Sequence, residues 1–371
     1  MTESLVQDPV SLASSCESLR AHAWMALDTE FMRTRTYYAR LCLVQVATPE
    51  QIACVDTIAL PTIEPLLEVI YAPHTLKVIH SARQDLEVFA DIRGAPPAPV
   101  FDTQLAASLC GYDDQIGYGA LVESITGHKL PKLHTRADWE TRPLPPDQLH
   151  YAEDDVRYLR DVYQFLAQKL EALGRTDWLR EECAALTDPG LYRNDPREAW
   201  RRLKQGQSLP LAAQTLLREL AAWRELTAQQ HNLPRGWVVA DTALVETALV
   251  APTSLEALGR IAGIGGSTAR KCGEQILQVV QHGRGLKPER LWEEPQRLDR
   301  RQQALYEQLQ ARVRAVAEQM KISATLLAPR RELLKLIAGD GSGSLARGWR
   351  RQLIGEELLQ LCGNPPVVAV T

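Results

Sequence analysis

Two acids separated by a single residue, Asp28 and Glu30, follow the apolar run of residues 24–27. Side chains two apart on a strand share a face. Both carboxylates therefore converge at the end of a strand that should cross a core. Left unpaired, such a pair is costly, because like charges repel and burial adds to the penalty. A divalent cation relieves it, and clustered carboxylate oxygens suit magnesium or manganese. The plainer reading is that Asp28 caps a turn or pairs with Arg33 or Arg35. Later acids weigh against that. Asp85 sits in the first turns of a helix expected after the strand at 76–80, where a carboxylate also suits the helix dipole. Tyr151 and Asp155 are four apart and share one face of a helix expected over 146–170. Asp102 reads as a cap or an orienting group rather than a ligand.

The elements that carry these groups follow from periodicity. Strands are expected at 24–27, 41–46 and 51–55, joined by short links as an antiparallel meander, with a fourth at 76–80. Ser81 is placed to cap the helix bearing Asp85, with Leu86, Phe89 and Ala90 as its buried stripe. Helices are also expected at 11–23, 63–70, 105–109 and 112–126. In the 146–170 helix, Val156, Leu159, Val162 and Phe165 form the buried stripe, and Glu153 and Asp154 are solvated. Lys129, Lys132, Arg136 and Arg142 surround Trp139 in a loop. Either that loop contacts phosphate and stacks a base, or it is a solvated loop over a buried Trp.

A chain of 371 residues is long enough for two or three domains. Its 45% hydrophobic and 24% charged content is that of an ordinary globular protein. No apolar run approaches the roughly 20 residues needed to cross a membrane. The first ten residues lack a basic region followed by an apolar block, so a secretory signal is not expected and the cytoplasm is. Seven scattered cysteines without a Cys-x-x-Cys pair argue against a disulfide framework or a zinc site. The net charge of -4 divides into -9 over residues 1–170 and +5 over the remainder. An acidic half that holds metal and a basic half that meets phosphate fit that division.

Beyond residue 180 the chain reads as helical. Residues 181–205 resemble a linker helix. A first module over 209–280 has the stripe Leu216, Leu217, Leu220 and Trp223, with Asp241 placed to cap a helix. Its glycines at 263, 265 and 266 precede another helix. They either present N–H groups to a phosphate or simply permit a tight turn. A second module over 298–361 repeats the outline loosely.

The ordered set Asp28-x-Glu30, His80-x-Ala82-x-x-Asp85-Leu86, Phe101-Asp102-Thr103, Trp139-x-x-Arg142-Pro143-Leu144 and Tyr151-Ala152-x-x-Asp155-Val156 resembles the ribonuclease D family. That family lies in the tyrosine subgroup of the four-acid 3'-to-5' exonucleases. The resemblance implies an α/β ribonuclease H-like domain, a mixed five-stranded sheet flanked by helices, followed by two all-α HRDC-like domains. The expected bounds are an exonuclease domain at 1–178, a linker at 179–207, HRDC modules at 208–288 and 295–362, and a tail at 363–371. It also implies Asp28, Glu30, Asp85 and Asp155 as metal-binding catalytic acids with Tyr151 as the fifth catalytic residue. His80, Lys132, Trp139 and Arg142 are expected to contact substrate. A sister subgroup uses a histidine five before the last acid; His150 has that spacing, but the surrounding pattern favours Tyr151.

These groups imply hydrolysis with two divalent cations, Mg2+ or Mn2+, that activate a water and stabilise the leaving 3' oxygen. Asp28 would bridge both ions, Glu30 and Asp155 would complete the ion holding the water, and Asp85 would act mostly through water. Tyr151, with an ordinary pKa of about 10, would aim the water rather than deprotonate it. The expected substrate is the 3' end of precursor tRNA and other small structured RNAs. Nucleoside 5'-monophosphates would be released by a cytoplasmic monomer. The rival readings are a 3'-to-5' DNA exonuclease of repair and a catalytically silent nucleic-acid-binding protein.

Overall fold

The computed structural model describes residues 4–131, 137–292 and 298–363. Lys132 lies outside these residues. Six strands form one sheet in the order β1-β4-β3-β2-β5-β6. They are β1 Leu5–Val6, β2 Trp24–Met32, β3 Arg40–Ala47, β4 Ile52–Asp56, β5 Leu76–Ile79 and β6 Val100–Asp102. β1 is parallel to β4, β4 is antiparallel to β3, and β5 is parallel to both β2 and β6. The five expected strands of the mixed sheet are β2 to β6. β1 is an extra edge strand, too short to leave a periodic signal. β2 continues through the acids to Met32, so Asp28 and Glu30 lie within the strand rather than beyond its end.

Eight helices accompany the sheet: α1 Pro9–Arg20, α2 Glu64–Ile70, α3 Arg83–Arg93, α4 Thr103–Leu109, α5 Tyr118–Thr126, α6 Pro146–Arg157, α7 Leu159–Ala172 and α8 Thr176–Leu186. The helix expected over 146–170 is broken at Tyr158 into α6 and α7. Val156, Leu159 and Val162 are buried as expected and the stripe goes on through Leu166 and Leu170, whereas Phe165 is 41% exposed. Glu153, expected in solvent, is buried. It accepts a hydrogen bond from Ser4 and pairs with Arg157 at 3.1 Å. Of the linker helix expected over 181–205, only residues 181–186 are α-helical, as the end of α8. After α8 the chain makes tight 3-10 turns at Pro189–Tyr192, Pro196–Arg202 and Lys204–Ser208, as prolines at two turn starts dictate.

The chain divides into two compact units. The second unit contains Met32–Arg40 together with α9 Leu211–Gln230, α10 Arg235–Val238, α11 Asp241–Val250, α12 Leu255–Gly259 and α13 Gly266–Arg284. The apolar face of α9, including Leu216, Leu217 and Leu220, packs in one core with Leu244 of α11, Ile276 and Val280 of α13, and Trp200. Asp241 does not cap α11. It is the first helical residue, and its carboxylate pairs with Arg224 at 2.7 Å.

The first unit takes in the rest of the chain: the sheet with α1 to α8, and then α14 Arg300–Met320, α15 Ala324–Leu327, α16 Arg330–Ile337, α17 Gly348–Arg350 and α18 Glu356–Gly363. Leu309, Val313, Leu327 and Trp349 of these last helices share a continuous core with Ala26, Val78, Val122 and Leu166. Trp178 of α8 stacks on Trp349 with ring centroids 4.5 Å apart. Glu182 accepts from Trp349 Nε1 at 2.8 Å and pairs with Arg350. Buried Arg175 donates to the carbonyls of Leu109 and Met320 at 2.6 and 2.7 Å. No described helix is long and apolar enough to cross a membrane.

Candidate active site

β2, in mid-sheet, supplies Asp28 and Glu30, and α6 supplies Asp155. The three carboxylates each place an oxygen so that these atoms lie within 4.8 Å of one another. Asp85, on the first turn of α3, is buried. The residue between the two strand acids, Thr29, is also buried and donates its hydroxyl to Asp85 Oδ1 at 2.5 Å. Sequence reading did not single out Thr29, since a threonine in a strand is unremarked on propensity alone.

The turn that delivers Asp85 is held from β6. Asp102 accepts the Ser81 and Ala82 N–H groups at 3.2 and 2.9 Å, and caps α4 by accepting from Gln104 N at 2.8 Å. Ser81 adopts φ +56° and does not cap α3, which starts at Arg83 without a side-chain cap. The carboxylate of Asp102 does that holding instead.

Removal from water raises the pKa of every acid in the group, and neighbouring carboxylates add to it. Burial leads for Asp28, with the charges of Asp85, Asp155 and Glu30 adding to it, and its value lies well above the usual range. Glu30 is pushed up to about 9 by burial, then by Asp155 and Asp85. Asp85 and Asp155 are each raised to about 7 by burial, while hydrogen bonds from Thr29 and Tyr151 respectively pull the other way. Four such carboxylates ionise together only against positive charge. An all-oxygen donor set of this kind fits a hard divalent cation.

Tyr151, one turn before Asp155 on α6, is hydrogen-bonded to it through its hydroxyl. Burial and the neighbouring carboxylates raise the phenol above its ordinary value, so it stays protonated and donates. His150 has 68% of its side chain exposed and sits 3.7 Å from Glu153 and 3.8 Å from Asp154.

The expected substrate contacts fare differently. His80 has both ring nitrogens engaged within the protein: Nδ1 lies 2.9 Å from Thr103 Oγ1, and Nε2 donates to Ile116 O at 3.1 Å. Its ring packs on Tyr118, whose hydroxyl donates to Asp154 O at 2.9 Å. His80 is thereby tied, through Tyr118, to the helix bearing Asp155. Arg142 is likewise engaged within the protein. Its Nε and Nη2 grip the fully buried Asp56 at 2.7 Å each, and Nη2 also donates to Cys42 O at 2.9 Å. Trp139 is 4% exposed, which leaves no face for a base, and its ring lies 6.3 Å from that of Tyr151. Charge and aromaticity suggested nucleic-acid contact; in the structure Arg142 is bonded to Asp56 and Trp139 is buried.

A 3'-5' exonuclease family model matches residues 4–171 and an HRDC domain model matches residues 213–280. Ribonuclease D of Granulibacter bethesdensis is 38% identical over 364 residues, covering 96% of this chain and 92% of its own length. That of Gluconacetobacter diazotrophicus is 39% identical over 363 residues, with the same coverage of 96% and 92%. The crystal structure of Escherichia coli RNase D, described as an exoribonuclease involved in structured RNA processing, superposes with a TM-score of 0.85 at 32% identity, covering 99% of this chain and all of that one. The catalytic core of RRP6 from Trypanosoma brucei shares the fold, with a TM-score of 0.61 at 24% identity over 76% of this chain and 79% of that one. With relatives of this identity along nearly its whole length, and with the exonuclease fold beneath its carboxylate cluster, the chain belongs to the ribonuclease D family and is a 3'-to-5' exoribonuclease.

Proposed function

We propose that the protein trims the 3' ends of precursor tRNA and other small structured RNAs by hydrolysis assisted by two divalent cations, Mg2+ or Mn2+, and that it releases nucleoside 5'-monophosphates. The observation that carries this reading is the convergence of Asp28, Glu30 and Asp155 within 4.8 Å, with Asp85 beside them. When bound, the cations would lower the pKa of a water and offset charge building on the phosphate. Asp28 stands between the other three acids electrically, feeling each of them, which suits it to bridge two positive charges. Glu30 and Asp155 would hold the side on which the water is activated. Asp85, tied to Thr29, would act on the other side through water. Tyr151 keeps its proton and would orient the attacking water.

The E. coli relative supports structured RNA as the substrate class, and the HRDC match supports a second grip on it. All seven cysteines are unbridged, which suits a reducing cytoplasm. The test is to incubate the protein with a 3'-extended tRNA transcript and Mn2+ and to resolve the products by chromatography. Nucleoside 5'-monophosphates should appear in succession from the 3' end. Asp28→Asn should abolish them, and so should EDTA. Turnover that persists in EDTA would refute the metal scheme, and equal turnover on DNA of the same sequence would refute RNA as the preferred substrate.

A further inference from the structure

Among the described residues, buried side-chain nitrogen or oxygen atoms without a hydrogen-bond partner occur on Gln45, Thr75, Gln148, Arg175 and Arg224. Such atoms are uncommon in folded proteins, and each calls for a physical reason. Arg175 and Arg224 use their other guanidinium nitrogens to donate to carbonyl groups. Gln45 and Thr75 have no exposed surface, so nothing from solvent reaches them. Gln148 differs: its Oε1 is buried, yet the residue as a whole is partly exposed.

Gln148 lies in the first turn of α6. Leu149, Ala152 and Val156 of that helix are buried. Tyr151 and Asp155, three and seven residues after Gln148, fall on the same stripe of the helix as Gln148. That stripe faces the acids, because an Asp155 oxygen lies within 4.8 Å of oxygens of Asp28 and Glu30. Gln148 thus heads the line that ends in the carboxylate cluster, and all of these groups belong to the first compact unit. Seven residues are about 10 Å of helix axis, the length of about three stacked nucleotides at ~3.4 Å each.

A carboxamide both donates and accepts, and so does a ribose 2'-hydroxyl. The two pair whichever way the amide is turned. A phosphate is a poorer match, since the stripe holds the Asp155 carboxylate and no cation. A base edge is also a poorer match. An enzyme that removes nucleotides in succession draws every base past this point, whereas the 2'-hydroxyl is the same on each.

We propose that Gln148 recognises ribose: its carboxamide hydrogen-bonds the 2'-hydroxyl of one of the last three nucleotides and so favours RNA over DNA. The inference deepens the hydrolysis proposed for the carboxylate cluster and rests on that reading for where the strand lies.

The test compares a twelve-nucleotide RNA with the same RNA carrying 2'-deoxyribose at its last three positions, by kcat/KM for release of the first nucleotide with Mn2+. The parent should favour the all-ribose strand about fivefold, the effect of one neutral hydrogen bond. Gln148→Met keeps the length of the side chain without its polar atoms. It should lose that factor on the all-ribose strand and stay near the parent on the other, so that the preference disappears. Its melting temperature should not fall, because the fold loses only an unpaired buried oxygen. A parent indifferent to the sugar, a Gln148→Met protein that keeps the parent's preference, or an equal loss on both strands would overturn the proposal. A parent that releases no nucleotide would instead undo the hydrolytic reading, and the two strands compared by anisotropy in EDTA would still decide the contact.

Discussion

At Thr29 the catalytic strand turns a hydroxyl toward Asp85 while its neighbours keep their carboxylates for the cluster. Hydrogen bonds to charged groups contribute about 1.5–3 kcal/mol each. Thr29→Val should therefore raise the Mn2+ concentration for half-saturation by about tenfold or more, and Thr29→Ser should restore it; calorimetric titration with Mn2+ reads this directly. Tyr151 and His150 form the other residue-scale contrast. The Tyr151 hydroxyl is bonded to Asp155, whereas the His150 ring is mostly in solvent. Tyr151→Phe should cost on the order of a hundredfold in kcat, as expected when a reacting group loses its aim. His150→Ala should stay near the parent rate, and the reverse ranking would transfer the role to the histidine. The acids and Tyr151 were legible because their types and order are informative without coordinates. Thr29 was not, because its importance lies in what it touches.

Between elements, the bond from Arg142 to Asp56 joins the loop before α6 to the end of β4. Removing one partner of a buried pair typically costs about 3–5 kcal/mol, because the other charge is stranded. Arg142→Ala should lower the urea midpoint accordingly, and a double-mutant cycle with Asp56→Asn should recover much of the loss. Burial raises the pKa of Asp56, but hydrogen bonds from Arg142, Gln7 and Ala59 together with the Arg142 charge outweigh it and hold the pKa below the ordinary value. Its contribution is thus complete above the unfolded-state value, about 3.9, and is lost as pH falls through the lower folded-state value. Arg142→Ala should flatten the acid limb of the stability–pH curve, which unfolding at several pH values would show. A basic loop with a tryptophan reads from sequence as nucleic-acid binding. Only the position of Asp56, 86 residues earlier, shows that the arginine is already committed.

For the whole molecule, helices far apart in the chain settle into shared cores. The last helices share the first of them through Trp349, stacked on Trp178 and hydrogen-bonded to Glu182. Trp349→Ala should destabilise that unit by about 3–5 kcal/mol and leave the melting of the second unit nearly unmoved, which calorimetry would resolve as a shift in one transition. By itself the sequence determined the strands and helices with strong periodicity, the family, and which acids to look for together, since each is written in residue type and local spacing. Tertiary structure alone decided which side chains face the site and which brace it, where the 146–170 helix breaks, and which core each distant segment joins. Those outcomes depend on partners distant in the chain, such as Asp56 for Arg142 or Trp349 for Trp178, and no local pattern encodes a partner at that distance.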